Sequence, residues 1–218
     1  MDRRALLTSF AAIPLLAAPS LSSAQAAPEK LIKAAASAPV STSATSQIEM
    51  GPVTFPEGST WPIAERFYPR EVQVKPSLTV GSIIVVSEKF FLYHVFAPGR
   101  AMRYGVAVGT EELVFRGDAT IQRKVEWPSW RPTQEMIERN PQAYKKYEDG
   151  MPGGPTNPLG ARALYLYQNG RDTAIRIHGT TSPSSIGHAA SNGCLRMVNE
   201  HVIALFDRVP LGTPVTVY

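Results

Sequence analysis

Length, composition and charge exclude several classes of protein. The 218 residues are 44% hydrophobic and 18% charged, which is typical of one folded domain with appendages and not of a disordered chain. The net charge is +4 and the pI is about 9.3, but no dense cluster of lysines and arginines indicates nucleic-acid binding. The 19 prolines and 16 glycines favour turns over long helices and predict a mainly β fold.

The N-terminal residues have the features of an export signal. Arg3 and Arg4 precede an apolar run over residues 5–18, and residues 24–26 offer small side chains to a signal peptidase. We predict that residues 1–26 are a cleaved signal, twin-arginine-like or for general secretion, and that the protein resides in the periplasm. An uncleaved anchor is the alternative. Cleavage removes two arginines and one aspartate, so the charge falls from +4 to +3, which fits weak attraction to an anionic surface.

The elements after this signal are predicted in chain order. Residues 27–77 should form a flexible tether, rich in Ala, Ser and Thr, followed by an arm rich in proline and aromatic residues. Residues 78–218 should form the folded domain. Its predicted strands are Ile83–Val86, Phe90–Phe96, Arg103–Val108, Ala119–Val125, Ala163–Tyr167, Thr173–Ile177 and Val215–Tyr218. Such short runs between turns favour sandwich-like paired sheets with one or two short helices.

The excursion, residues 127–160, interrupts this strand pattern. Thr133 is predicted to cap a helix that extends through Asn140, and Pro141 to start another. Residues 150–160 are rich in Gly and Pro and exclude regular structure. The excursion is either a lid or groove wall for a substrate or a structural segment packed on the sheet. Further on, Asn199 is predicted to cap a helix over residues 200–208.

Two short elements carry residues suited to covalent chemistry. Cys194 is the only cysteine, and an exported protein usually pairs its thiols or lacks them, so Cys194 is an inert buried residue, an intermolecular link or a reactive thiol. His178 lies at the end of a predicted strand and could activate the thiol as a base. Gly193 lets the backbone approach closely, so that amide N–H groups could bind an oxyanion. A buried cysteine and a core histidine are the alternative.

The wider pattern resembles a known catalytic domain. The motifs are His178-Gly179-Thr180, then Ser185-Ile186-Gly187, then Ser191-x-Gly193-Cys194-x-Arg196-Met197-x-Asn199. Together with blocks at residues 104–109, 153–160 and 212–215, this order is similar to the L,D-transpeptidase catalytic domain (YkuD-type) over residues 79–218. Papain-like and NlpC-type peptidases place cysteine before histidine, and sortases place arginine well beyond the cysteine. Asn192 departs from the family pattern, where many members have histidine, and Glu200 stands where aspartate is usual.

The resemblance implies a fold, an activity and roles for residues. Cys194 is the implied nucleophile and His178 the base; the Gly179 carbonyl would orient the imidazole, and backbone N–H groups at Gly193 and Cys194 would hold the oxyanion. The implied substrate-binding residues are Arg196, Ser191, Thr180 and Asn192, although Arg196 could instead lock the loop. No cofactor is expected. A zinc site of His178, His188, Cys194 and His201 lacks the usual ligand spacing, and His188 and His201 are expected at the surface.

The implied partners are peptidoglycan stem peptides. Cys194 would attack the carbonyl of the third residue of a tetrapeptide donor, release D-alanine and pass the acyl group to an amine. The acceptor could be another stem peptide, an outer-membrane lipoprotein or a different amine. Carbapenem-type β-lactams are the implied inhibitors. The alternatives are an L,D-carboxypeptidase or wall-protein amidase using the same Cys-His pair, and an inactive wall-binding protein.

Overall fold

The structure, a computed structural model, describes residues 53–218. The predicted export signal and the predicted tether lie outside these residues. The strands are β1 Arg70–Gln73, β2 Ile83–Val86, β3 Phe91–Ala97, β4 Arg100–Gly105, β5 Val108–Gly109, β6 Gly117–Glu126, β7 Arg162–Gln168, β8 Arg171–His178, β9 Ala189–Ser191, β10 Leu195–Arg196 and β11 Pro214–Val217. The α-helices are α1 Gln134–Arg139, α2 Pro141–Tyr144 and α3 Asn199–Phe206, and short 3-10 helices cover Glu65–Phe67, Ser87–Lys89, Lys145–Tyr147 and Pro183–Ser185.

One nine-stranded sheet dominates the fold, in the order β1-β4-β3-β2-β11-β6-β7-β8-β10. The late strand β11 lies at its centre, parallel to β2 and antiparallel to β6, with Val215 opposite both Ile83 and Ala119. The two short strands β5 and β9 pair separately. The mainly β class with a few short helices is therefore confirmed.

Both halves of this sheet contribute to one core. The largest buried cluster contains Leu92 and Tyr104 from one half, Leu164 and Leu195 from the other, and Leu205 from α3. Burial of these apolar side chains is the main stabilising contribution to such a fold. The chain beyond β4 also reaches the far edge of the sheet, where Ala107 exchanges two backbone hydrogen bonds of 2.9 Å with Arg196 of β10. The sheet therefore curves around its core.

The described part of the predicted arm packs on the domain. Phe67 is buried, and β1 extends the sheet by antiparallel pairing with β4. The Trp61 ring lies edge-on to Phe55 at 5.2 Å and to His201 at 4.6 Å. Strand β1 was not predicted because its sequence, REVQ, has one apolar residue and occupies an edge. The domain boundary at residue 78 stays a prediction.

The helices follow their predicted signals, with two corrections. The Thr133 hydroxyl accepts a hydrogen bond of 3.2 Å from the Met136 N–H, so this cap is confirmed. Helix α3 begins at Asn199 without a side-chain cap, so the capping role predicted for Asn199 is wrong. The surface position predicted for His201 is also wrong: it is fully buried, because the arm covers the face of α3 that carries it. None of the helices in residues 53–218 has the length and apolar character needed to span a bilayer.

Candidate active site

The candidate site lies at the β8–β10 edge of the large sheet. These strands pair in parallel, with Leu195 opposite Ile177 and Arg196 opposite His178. Ile177 and Leu195 are buried in the core, and side chains alternate between the two faces of a strand. His178 and Arg196 therefore share the opposite face, and Cys194, one residue before β10, continues the same alternation. The structure thus brings the predicted base and the predicted nucleophile to one edge.

The Cys194 thiol rests against a neighbouring backbone. Its Sγ donates to the Ala174 carbonyl at 3.7 Å, and within residues 53–218 it makes this bond rather than one to the His178 ring. Burial raises the pKa of the thiol, while the Arg176 backbone N–H and the charges of Arg176 and Arg196 act in the opposite direction. Because the pKa remains raised, the resting group is a neutral thiol.

A β-bulge aims the Ala174 carbonyl at this thiol. Tyr165 pairs with Arg176 and Tyr167 with Asp172, so three residues of β8 face one residue of β7. Ala174 lies in the bulge with φ +60°, a left-handed conformation that costs an alanine roughly 1–2 kcal/mol. Bulges of this kind are frequent beside active sites, where they redirect a group. The sequence predicted an uninterrupted strand here.

One carboxylate holds the bulge in place. Asp172 accepts from the Ala174 N–H at 2.9 Å and forms a bidentate ion pair with Arg176, at 2.6 and 2.9 Å. The Arg176 guanidinium also stacks on the Tyr165 ring, 4.2 Å from its centroid. Sequence reasoning missed Asp172 and Arg176. An Asp–Arg pair four apart was the available signal, but that spacing indicates a helix and not a strand.

His178 is buried and neutral. Its Nδ1 lies 2.6 Å from the Gly179 carbonyl oxygen, the contact expected to orient the ring. Burial lowers the pKa of His178 to about 4, against the opposing effect of the Gly179 carbonyl and with a further lowering by the Arg196 charge. The imidazole therefore carries no charge near neutral pH, which is the form that can accept a proton.

Asn199 ties together the chain behind His178. Its Oδ1 accepts from the Ala161 N–H at 3.0 Å, and its Nδ2 donates to the Thr180 carbonyl at 3.2 Å. Gly160 adopts φ +64°, and a Cβ on Gly160 or on Gly179 would collide with the Asn199 amide. These glycines permit the close approach that fixes the Gly179 carbonyl. Sequence reasoning included Asn199 in the motif but assigned it to a helix cap.

Ser191 organises the turn that carries Cys194, the predicted nucleophile. Its hydroxyl donates to the Cys194 carbonyl at 2.5 Å and accepts from the Gly193 N–H at 3.1 Å. The Gly193 N–H, expected at an oxyanion, is thus already bonded. Gly193 has φ +112°, and a Cβ there would lie 2.9 Å from the Leu113 carbonyl oxygen, so the backbone approaches its neighbour closely at this position.

The other predicted site residues lie around this centre. Thr180 is buried, and its hydroxyl accepts from the Ser182 N–H at 3.0 Å, within its own loop. Asn192 is exposed and accepts a hydrogen bond from Arg139 Nη2 at 2.5 Å, which joins the turn that carries Cys194 to helix α1. The Arg196 guanidinium is half-buried and interacts electrostatically with Cys194 and Tyr144.

The side chains gathered at this edge are suited to nucleophilic chemistry. Within residues 53–218, no three His, Cys, Asp or Glu side chains are grouped so that they could hold a metal ion. His188 is exposed and His201 lies in the core beneath the arm. The resulting site is a buried imidazole, a thiol and guanidinium groups on one edge of a sheet.

Comparison with known proteins agrees with this arrangement. The family model of the L,D-transpeptidase catalytic domain (YkuD) matches residues 81–217. A putative L,D-transpeptidase encoded in the ATP synthase subunits region of Fuscovulum blasticum is 40% identical over 64% of this chain and 71% of its own. A probable L,D-transpeptidase, ErfK/SrfK of Escherichia coli, is 30% identical over 68% of this chain; the match spans about half its length (47%).

A solved structure is also similar. A chain from Brucella melitensis, described as a probable carnitine operon oxidoreductase, is 53% identical over 68% of this chain and 91% of its own, with a TM-score of 0.49. The family match covers well over half of the 218 residues and includes both His178 and Cys194. The chain therefore belongs to the family of the YkuD-type L,D-transpeptidase catalytic domain.

Proposed function

We propose that this protein is a peptidoglycan L,D-transpeptidase, exported to the periplasm, in which Cys194 is the nucleophile and His178 the base. The observation that carries the proposal is the parallel pairing of β8 and β10, which aligns both side chains on one face of the sheet edge. The family membership supports the reaction class, and the geometry supports Cys194 and His178 as the residues that would perform it.

The first half-reaction forms a thioester. The Cys194 sulfur attacks the carbonyl of the third residue of a donor tetrapeptide, and His178 takes the thiol proton as the C–S bond forms. The tetrahedral intermediate then collapses. Its C–N bond to the terminal D-alanine breaks, and His178 returns the proton to the leaving amine. The products are D-alanine and an acyl-enzyme.

The second half-reaction transfers the acyl group. An acceptor amine attacks the thioester and His178 removes a proton from this amine. As the C–S bond breaks, His178 gives the proton to the departing sulfur, which regenerates the thiol and the neutral imidazole. The Gly179 carbonyl, 2.6 Å from Nδ1, would stabilise the imidazolium that forms in each step, in the place of the acidic member of a triad. A stem peptide, a lipoprotein amine or another amine would serve as acceptor.

The oxyanion donor proposed here is the Cys194 N–H. The Gly193 N–H is held by Ser191, so it would contribute only if substrate binding displaced that hydroxyl. Losing one such donor typically slows an enzyme about 100- to 1,000-fold. The neutral thiol must also give up its hydrogen bond to the Ala174 carbonyl before its proton can pass to His178.

The competing enzyme function uses the same thioester. With water as acceptor, the protein would be an L,D-carboxypeptidase or a wall-protein amidase; an inactive wall-binding protein would form no thioester. Incubation of residues 27–218 with purified disaccharide-tetrapeptides, beside Cys194→Ala, separates these by mass spectrometry. Loss of D-alanine with dimer formation, absent in the variant, supports transpeptidation. Loss without dimers favours hydrolysis, and no loss with a reduced thiol contradicts an enzyme acting on this donor.

A further inference from the structure

We propose that Arg139 of helix α1 binds a carboxylate of the donor peptide and thereby determines donor specificity. This inference rests on the proposed function and extends it from the nucleophile to the excursion. Arg139 lies 55 residues before Cys194 in the sequence and outside every motif of the resemblance. Only the hypothesis that the excursion forms a lid or groove wall connected it with the site.

The contact that places Arg139 at the site is its hydrogen bond to the catalytic turn. Its Nη2 donates to Asn192 Oδ1 at 2.5 Å, and Asn192 is separated from Cys194 only by Gly193. Helix α1 is in turn followed by α2, whose Tyr144 packs on Trp130 with ring centroids 6.3 Å apart. The guanidinium therefore connects the excursion to the turn that carries Cys194.

The charge of Arg139 is not neutralised at contact distance. Among residues 53–218, the ion pairs within 4 Å join Arg100 to Glu71, Arg162 to Glu126 and Arg176 to Asp172. Arg139 meets only the neutral Asn192 amide, and Glu135 acts on it at longer range. A guanidinium has five donors in a fixed fork, so one bond to Asn192 leaves most of them available to a ligand.

Arg196 reinforces this positive potential. It lies two residues beyond Cys194, is half-buried, and has no carboxylate within ion-pair distance in the described chain. Arg176 is the contrasting case, since its bidentate pair with Asp172 occupies it. Two guanidinium groups without a carboxylate at ion-pair distance therefore adjoin the turn that carries Cys194: Arg196 two residues after the thiol, and Arg139 hydrogen-bonded to Asn192 two residues before it. The complementary ligand is an anion with planar oxygens.

Stem peptides carry such groups on both sides of the scissile bond. The terminal D-alanine carboxylate departs with the leaving group, whereas other free carboxylates stay on the acyl part. Arg139 would bind either carboxylate through the same charge-assisted hydrogen bonds. A contact to the acyl part persists in the thioester and would also orient it for transfer, but a contact to the terminal carboxylate would act only before D-alanine leaves.

The experiment compares matched donors. Disaccharide-tetrapeptides with all carboxylates free, with a C-terminal carboxamide, or with the acyl-side carboxylates amidated would be given to the wild-type protein and to Arg139→Gln and Arg139→Lys. We expect Arg139→Gln to lower kcat/KM about tenfold for the free-acid donor, since a charge-assisted hydrogen bond is lost. The same change should have under about a twofold effect on the donor that lacks the recognised carboxylate, and lysine should restore part of the loss.

Arg171→Gln is the charge-matched control, because Arg171 is exposed and lies at the other end of β8 from His178. It should leave the donor ratio unchanged. If Arg139→Gln has no effect on one of the amidated donors, the carboxylate blocked in that donor is the one that Arg139 binds. An equal loss on all three donors would show that Arg139 only tethers the excursion and would overturn the inference. Failure of the wild-type protein to release D-alanine from any donor would overturn the proposed function as well.

Discussion

At the scale of single residues, the thiol and the imidazole both rest in their neutral forms. The pKa of Cys194 is raised and that of His178 is lowered to about 4, so proton transfer between them is unfavourable until a substrate enters. A neutral thiol reacts slowly with oxidants and electrophiles, because the thiolate is the reactive species. This arrangement would protect a single cysteine in an oxidising compartment while keeping it available to a bound donor.

Acylation by a β-lactam tests Cys194 directly. We expect a carbapenem to add its full mass to the reduced protein as the ring amide opens onto the sulfur. Cys194→Ala should gain no mass, because it lacks the nucleophile. Intact-protein mass spectrometry checks both. An unmodified mass after prolonged exposure of protein that is active on its donor would contradict the prediction.

Arg176 should set the pH at which the thiol reacts. Its charge lowers the pKa of Cys194, so Arg176→Gln should raise that pKa and move the alkylation profile with iodoacetamide to higher pH, slowing the reaction severalfold near neutral pH. Arg123→Gln is the matched control, because Arg123 also stacks on the Tyr165 ring, at 4.7 Å, but does not contribute to the thiol pKa. A profile shifted equally by both variants would mean that packing on Tyr165, and not charge, is responsible.

At the scale of elements, the site depends on how the ends of strands are fastened. The first residue of α3, Asn199, joins the start of β7 to the loop after β8 through Ala161 and Thr180. Helix α3 therefore influences His178 through hydrogen bonds to the backbone of Ala161 and Thr180, and not through a side chain in the site.

We expect Asn199→Ala to cost about 2 kcal/mol of unfolding free energy, because it leaves a buried N–H and a C=O without partners. It should also slow thioester formation, since the Thr180 carbonyl, one residue beyond Gly179, loses the hydrogen bond that fixes this segment. Asn199→Asp retains the acceptor for Ala161 and should be intermediate in stability. Urea unfolding and the rate of carbapenem acylation measure the two effects. Full stability with unchanged acylation in Asn199→Ala would contradict this role.

The strands show how far sequence alone reaches. Runs such as Ile83–Val86 are fully buried and β-branched, so composition predicts them well. Strands β1 and β10 were missed because they are an edge strand of polar residues and a strand of two residues, and both form only through pairing partners that are distant in sequence. The hairpin turn at Asn169-Gly170 was predictable, since both residues adopt positive φ.

The sequence also indicated only some of the residues at the candidate site, because the others are placed there by contacts between segments that are distant in sequence. Cys194 and His178 follow from the isolated thiol and the motif, and Arg196 follows from its place beside the nucleophile. Asp172, Ala174 and Arg139 act through a bulge and a contact across the fold, which leave no local pattern. Sequence reasoning finds candidate reactive groups, and tertiary structure is needed to find the groups that would position them.

At the scale of the whole molecule, buried histidines couple stability to pH. Burial lowers the pKa of His94 to about 4 and that of His201 to about 3, and neither ring Nε2 has a hydrogen-bond partner within residues 53–218. The unfolded chain would protonate both near their ordinary pKa of about 6.5. The contribution of the two neutral histidines to the free energy of unfolding is therefore fully present above about pH 6.5 and is lost as the pH falls toward 4.

We expect each of these histidines to lower the free energy of unfolding by about 2 kcal/mol when the pH is reduced from 7 to 5. His201→Phe should be less sensitive to acid over this range, because it keeps an aromatic ring against Phe55 and Trp61 but cannot titrate. Urea denaturation at a series of pH values tests this. An identical pH dependence in the variant and the wild-type protein would exclude His201 as a source of the effect.

The central position of β11 has a consequence for how the chain is made. Strands β1 to β4 form one half of the large sheet and β6, β7, β8 and β10 the other, and within the sheet only β11 pairs with both, through β2 and β6. While the nascent polypeptide is still being synthesised, these halves expose two unpaired edges. The native sheet can close only after residue 217 has left the ribosome, so each half of the sheet keeps an unpaired edge until that point of synthesis.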